Sequence, residues 1–137
     1  MHEGAEEGSL DKPSEQAERN AARISERISA LPRVAIVLGS GLSNFVHAVE
    51  RPVAFRYADL EGFPVPAVSG HSGSLVIGQI AGAPVAVLAG RGHYYEHGRS
   101  DVMRPPLETM RALGVEILIL TNAAGSVRRE IPPGSVM

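Results

Sequence analysis

The chain has 137 residues and a formal net charge of −2, from 13 Lys and Arg against 15 Asp and Glu, the wrong sign for a grip on nucleic-acid phosphate. Its 15 glycines and 10 prolines fall short of a low-complexity composition, and with 44% hydrophobic residues it can bury a core. The lack of cysteine excludes a disulfide framework, a thiol nucleophile and a thiolate metal site.

Glu3, Glu6 and Glu7 stand where a secretory signal carries basic residues, so a cytoplasmic location is expected. Ala17, Ala21, Ile24, Ile28 and Leu31 recur at helical spacing and predict an amphipathic helix over 14–31, ended by Pro32. Its charged face, with Glu15, Arg19, Arg23 and Arg27, reads as solvated surface. Residues 34–38 are continuously apolar and closed by Gly39-Ser40-Gly41, the pattern of a parallel strand buried on both faces. A short helix is expected over 42–49, capped by Ser43 or Asn44. Residues 75–80 and 84–89 predict a hairpin turning at Ala81-Gly82-Ala83, with Pro84 as a first residue or on an edge. Pro105-Pro106 open a helix that turns Leu107, Met110 and Leu113 inward and stops at Gly114. Residues 117–121 read as a second fully buried strand, giving a βαβ grammar. No apolar run is long enough for a membrane span. After Pro132-Pro133-Gly134 a new element is expected to begin, so the chain reads as truncated.

Ligands of parallel sheets bind outside the C-terminal strand ends. Three loops there are made of small residues: Gly39-Ser40-Gly41, Gly90-Arg91-Gly92-His93 and Asn122-Ala123-Ala124-Gly125. Such loops let backbone N–H groups approach an anion closely. The first is no dinucleotide fingerprint, because Asn44 takes the sixth position of G-x-G-x-x-G, and it is no P-loop either. It remains either a phosphate cradle with the Ser40 hydroxyl or a tight turn. His93-Tyr94-Tyr95-Glu96-His97 spells the H-x-x-E-H of some zinc peptidases, but that geometry requires a helix and glycines bracket the segment, so no metal site is expected. Arg91 and His93 instead share one face of an extended backbone, which Tyr95 continues. Glu96 can orient Arg91 or a water, or form a surface ion pair. His71, in Ser69-Gly70-His71-Ser72-Gly73, is as readily a site residue as a loop residue. Together Ser40, His71, Arg91, His93 and the backbone of the Asn122 loop form a set of anion donors with no nucleophilic side chain, suited to a phosphate that itself reacts.

The four segments Gly39-Ser40-Gly41-Leu42, Gly70-His71-Ser72-Gly73, Gly90-Arg91-Gly92-His93-Tyr94-Tyr95-Glu96 and Thr121-Asn122-Ala123-Ala124-Gly125-Ser126, in this order and spacing, resemble the trimeric purine nucleoside phosphorylases. The likeness runs from about residue 32 onward, so that 1–31 is an N-terminal helix and tail and 32–137 the N-terminal half of one domain. It implies a truncated α/β sandwich around a mixed, distorted sheet. It further implies phosphorolysis of purine ribonucleosides and deoxyribonucleosides in a homotrimer, with inorganic phosphate as co-substrate and no cofactor. The residues that match the family's catalytic and phosphate contacts are Ser40, His71, Arg91, His93, Glu96 and the Ala123 amide. Tyr95 matches a ribose contact, and Ala123, Ala124 and Gly125 match the wall beside the purine. The purine-protonating groups belong to the family's other half, so no stand-alone turnover is expected. Gly92 stands where relatives more often carry a bulkier residue, and His97-Gly98-Arg99 also departs from the pattern. The neighbouring alternatives are a methylthioadenosine phosphorylase and a non-catalytic remnant.

Overall fold

A computed structural model of the chain describes residues 12–65, 73–93, 96 and 98–137. Helix α1 (Glu15–Ser25) begins where the Ser14 hydroxyl accepts the Ala17 N–H at 3.3 Å, and Glu15 and Glu18 load its first turn with favourable charge. The strands are β1 (Val34–Val37), β2 (Glu50–Arg56), β3 (Ser74–Ile80), β4 (Ala83–Ala89) and β5 (Ile117–Leu120), and α2 (Arg104–Ala112) lies between the last two. They form one mixed sheet in the order β2-β3-β4-β1-β5. The pairs β4–β1 and β1–β5 are parallel, and β2–β3 and β3–β4 antiparallel. The mixed α/β architecture is therefore the one expected.

Both helices lie on one face of the sheet, where Ala21, Ile24, Met110 and Leu113 join Ala35, Val37, Phe55, Leu75, Ile77 and Leu88 in a single core. Between the helices sits a fully buried polar knot. Asn20 donates to the Glu61 carbonyl at 2.9 Å and accepts from the Glu61 N–H at 3.0 Å, and Thr109 donates to the Pro105 carbonyl at 2.8 Å. Each buried polar group is thus supplied with a partner, without which burial would be costly. The opposite sheet face carries a smaller cluster of Leu38, Val49, Val76, Val85 and Val87. No helix among the described residues is long and apolar enough to cross a membrane.

Several expectations are corrected. The first helix ends at Ser25, because the chain turns there through an Arg27 N–H to Ile24 carbonyl bond of 3.0 Å. Ile28 still packs against the core from outside the helix, and Leu31 is exposed. The segment after β1 is a 3-10 helix (Ser43–Ala48) whose cap position is Leu42, with no side-chain cap. The hairpin forms with a two-residue turn in which Ala81 and Gly82 have φ of 49° and 79°, the primed geometry that matches strand twist. Pro84 is the second residue of β4, a strand paired on both sides. Strand β2 was not anticipated. Strand β1 is buried on one face and half-buried on the other. The largest difference is β5, which is exposed at every position, Leu120 to 68%, because it pairs with β1 alone and no described element covers its faces.

Candidate functional site

Parallel pairing aligns Val37 with Leu88 on one side and Leu120 on the other, so the loops after β1, β4 and β5 leave the same edge of the sheet. The ladder continues past the strands, with Leu38 N–H donating to the Leu88 carbonyl at 3.0 Å and Thr121 N–H to the Val37 carbonyl at 3.1 Å. Thr121 then ties the three loops together. Its hydroxyl donates to the Val37 carbonyl at 2.8 Å and accepts the Gly39 N–H at 3.0 Å, while its carbonyl accepts from Arg91 Nη1 at 3.2 Å. The first and third loops touch so closely that a Cβ on Gly39 would lie 2.8 Å from Asn122 Cα, a separation only glycine allows.

Arg91 Nε points at His93 Nε2, 3.4 Å away, as two side chains on one extended face should. The other ring nitrogen, Nδ1, faces Glu96 Oε2 at 3.5 Å. Glu96 also accepts the His93 backbone N–H at 3.2 Å, and its own N–H donates to the His93 carbonyl at 3.1 Å. Glu96 is therefore joined to His93, rather than to Arg91 or in a surface ion pair as the sequence suggests. Gly92 is explained by Val102, whose side chain would lie 2.5 Å from a Cβ there, so the small residue admits a close neighbour.

Arg91, His93 and Glu96 are thus brought together and linked through Thr121 to the Asn122 loop. Ser40 and Ala123 directly follow the touching pair Gly39 and Asn122, and both are exposed, as are Ala124 and Gly125. His71 and Tyr95 lie outside the described residues, as does His97 of the H-x-x-E-H segment. Among the described residues no group of three His, Asp or Glu side chains is placed to hold a metal ion. Two shallow cavities of about 470 and 390 Å³ lie elsewhere, one beside Phe63 and Arg99 and the other beside Arg27 and Phe55. The groups carried by the loops at this edge are a guanidinium fork, an imidazole, a hydroxyl and main-chain amides, kinds of group that can donate to an anion.

Sequence reasoning missed two residues that support this edge. Thr121 figures in the sequence as the end of a strand and the start of the Asn122 segment with no role of its own, although a hydroxyl where an apolar strand meets a small-residue loop is the available signal. Tyr57 lay in a stretch with no prediction. It is 1% exposed, its burial pushes the phenol pKa up, and its hydroxyl donates to the Gly90 carbonyl at 2.7 Å.

Residues 33–137 match the family model described as the phosphorylase superfamily. Purine nucleoside phosphorylase 1 of Geobacillus stearothermophilus is 43% identical over 120 residues, which is 88% of this chain and 44% of that protein. The corresponding protein of Bacillus subtilis (strain 168) is 42% identical over 123 residues, 90% of this chain and 45% of the relative. The crystal structure of the Schistosoma mansoni purine nucleoside phosphorylase with acetate superposes at a TM-score of 0.76 and 36% identity, covering 86% of this chain and 43% of that one. A purine nucleoside phosphorylase in complex with ribose-1-phosphate gives 0.77 and 37%, over 88% and 44%. The chain spans less than half the length of these relatives.

Proposed function

We propose that this chain, which belongs to the phosphorylase superfamily, carries the phosphate-binding half of an enzyme that phosphorolyses purine nucleosides. The observation behind this reading is the joint at the parallel strand ends, where Arg91 reaches both His93 and the Thr121 carbonyl. In the reaction an oxygen of inorganic phosphate attacks the anomeric carbon of the sugar. The C1′–O bond forms as the C1′–N9 bond breaks, and the purine leaves with the electron pair and takes up a proton. Because departure of N9 runs ahead of attack, positive charge develops on the sugar, and a phosphate dianion held beneath it stabilises that charge.

In this scheme Arg91, His93, the Ser40 hydroxyl and the Ala123 N–H bind phosphate, and His71 supplies a further donor. Glu96 fixes the His93 ring. Tyr95 contacts ribose, while Ala123, Ala124 and Gly125 form the wall beside the purine. Phosphate is a co-substrate, and the scheme uses no metal or organic cofactor. We extend the reading to a cytoplasmic homotrimer in which residues 32–137 form half of one domain and the other half protonates the purine. Light scattering on the full gene product tests the trimer.

The function itself is tested by incubating the full product of the gene with inosine and inorganic phosphate. Phosphate-dependent release of hypoxanthine and ribose 1-phosphate is expected. Release without phosphate would overturn the reading, use of methylthioadenosine alone would move it to the sister activity, and phosphate binding without turnover would leave a remnant.

A further inference from the structure

We propose that Tyr57 is a positioning residue that fixes the start of the Arg91 loop for phosphate, an inference that rests on the phosphorolysis reading above. Tyr57 opens a 3-10 turn (Tyr57–Asp59) directly after β2 and is almost wholly buried in the core under the sheet. Its ring meets Phe63 edge-on at 5.2 Å. A phenylalanine would fill that volume equally well, so packing does not account for the hydroxyl. The hydroxyl donates at 2.7 Å to the carbonyl of Gly90, the residue before Arg91. Gly90 has φ of 122°, a conformation closed to side chains, so the direction in which the loop leaves β4 is set at that residue.

The same tyrosine holds a second strand end. Its N–H donates to the Gly73 carbonyl at 2.9 Å, and its ring occupies the space that a side chain on Gly73 would fill. A Cβ on Gly90 would in turn lie 3.3 Å from Gly73 Cα. One side chain thereby locks Gly73, at the entry to β3, against Gly90, at the exit of β4. Beyond Gly90 the described side-chain ties of this loop's backbone are Gly92 N–H to Met103 Sδ at 3.3 Å and His93 N–H to the Glu96 carboxylate at 3.2 Å. The first of these is a weak acceptor. Loss of the Tyr57 hydroxyl therefore frees the loop at its root while leaving the guanidinium and imidazole chemically intact.

The test compares Tyr57→Phe with Ile24→Val, a change on α1 within the same core, in the full gene product. Steady-state phosphorolysis of inosine is measured with phosphate varied and inosine saturating. Tyr57→Phe is expected to raise KM for phosphate about tenfold with kcat within about twofold of wild type, the scale of one lost buried hydrogen bond. Ile24→Val should leave KM for phosphate unchanged whatever it does to thermal stability. An unchanged KM in an active Tyr57→Phe enzyme would overturn the positioning role and leave the phosphorolysis reading standing. Equal KM increases in both variants, or a Tyr57→Phe protein too unstable to assay, would also overturn it, because the hydroxyl would then serve the fold. Absence of phosphorolysis in the wild-type protein would remove both readings together.

Discussion

Replacing Thr121 by valine removes one hydroxyl and adds one methyl at almost constant volume, so its effect isolates the bonds that stitch the site. The Val37 carbonyl loses the 2.8 Å donor but keeps the Thr121 backbone N–H at 3.1 Å. Gly39 fares worse, since its buried N–H loses the acceptor at 3.0 Å and contact with Asn122 and Thr121 leaves little room for a replacement. An unsatisfied buried donor costs about 1–3 kcal/mol, so the expected loss is about 2 kcal/mol, well above that of a surface change. Urea unfolding of the full gene product, with and without phosphate, measures it. Thr121→Ser keeps the hydroxyl and should recover most of the loss. If valine proves as stable as threonine, or serine as poor as valine, the hydroxyl does not join β1 to β5 and the reasoning fails.

Arg91→Ala should weaken phosphate use by roughly 10–100-fold in kcat/KM, the scale of one charge-assisted contact, read from phosphate-dependent kinetics; an unchanged phosphate dependence would remove Arg91 from the site. Ala81→Asn, at a turn position with φ of 49°, should stabilise the protein by about 0.5–1 kcal/mol because asparagine tolerates that conformation better, as thermal denaturation can show. Partner arginines hold the Asp59, Glu61, Asp101 and Glu116 carboxyls below their ordinary values of 3.8 and 4.5. Groups with depressed folded pKa values stabilise the fold above those values, and that stability is lost as pH falls through the lower folded ones. The thermal midpoint should therefore decline below about pH 4.5. All four pairs are exposed, so salt should blunt the decline; a decline unaffected by salt would point to other groups.

The sequence was most informative where local chemistry and tertiary placement agree. Continuous β-branched runs marked β1 and the two arms of the hairpin, and Pro105-Pro106 with Gly114 bounded α2, because these residues restrict the backbone wherever they occur. Arg91 and His93 could be paired since two-residue spacing has one meaning on an extended chain. Periodicity was silent on partners. Ile28 and Leu31 keep helical spacing after the helix has ended, since a side chain can reach the core, as Ile28 does, from a turn as well as from a helix. The apolar residues of β5 signal a preference for burial, but not whether a neighbour supplies it. Strand β2 went unread because charged Glu50, Arg51 and Arg56 interrupt its apolar pattern on an exposed edge. Tyr57 and Thr121 act through bonds to residues 33 and 84 positions away in the chain, which no local pattern encodes.

If the proposed site is right, the loops after β1, β4 and β5 hold one phosphate between them. Residue-resolved amide NMR of the isotopically labelled protein, titrated with inorganic phosphate, reads all three loops at once. The amides of Gly39, Ser40, Arg91, His93, Asn122 and Ala123 should shift together along a single saturation curve, and the Arg91→Ala protein should lose that response. Shifts confined to other surfaces, or separate curves for the three loops, would contradict a shared phosphate site.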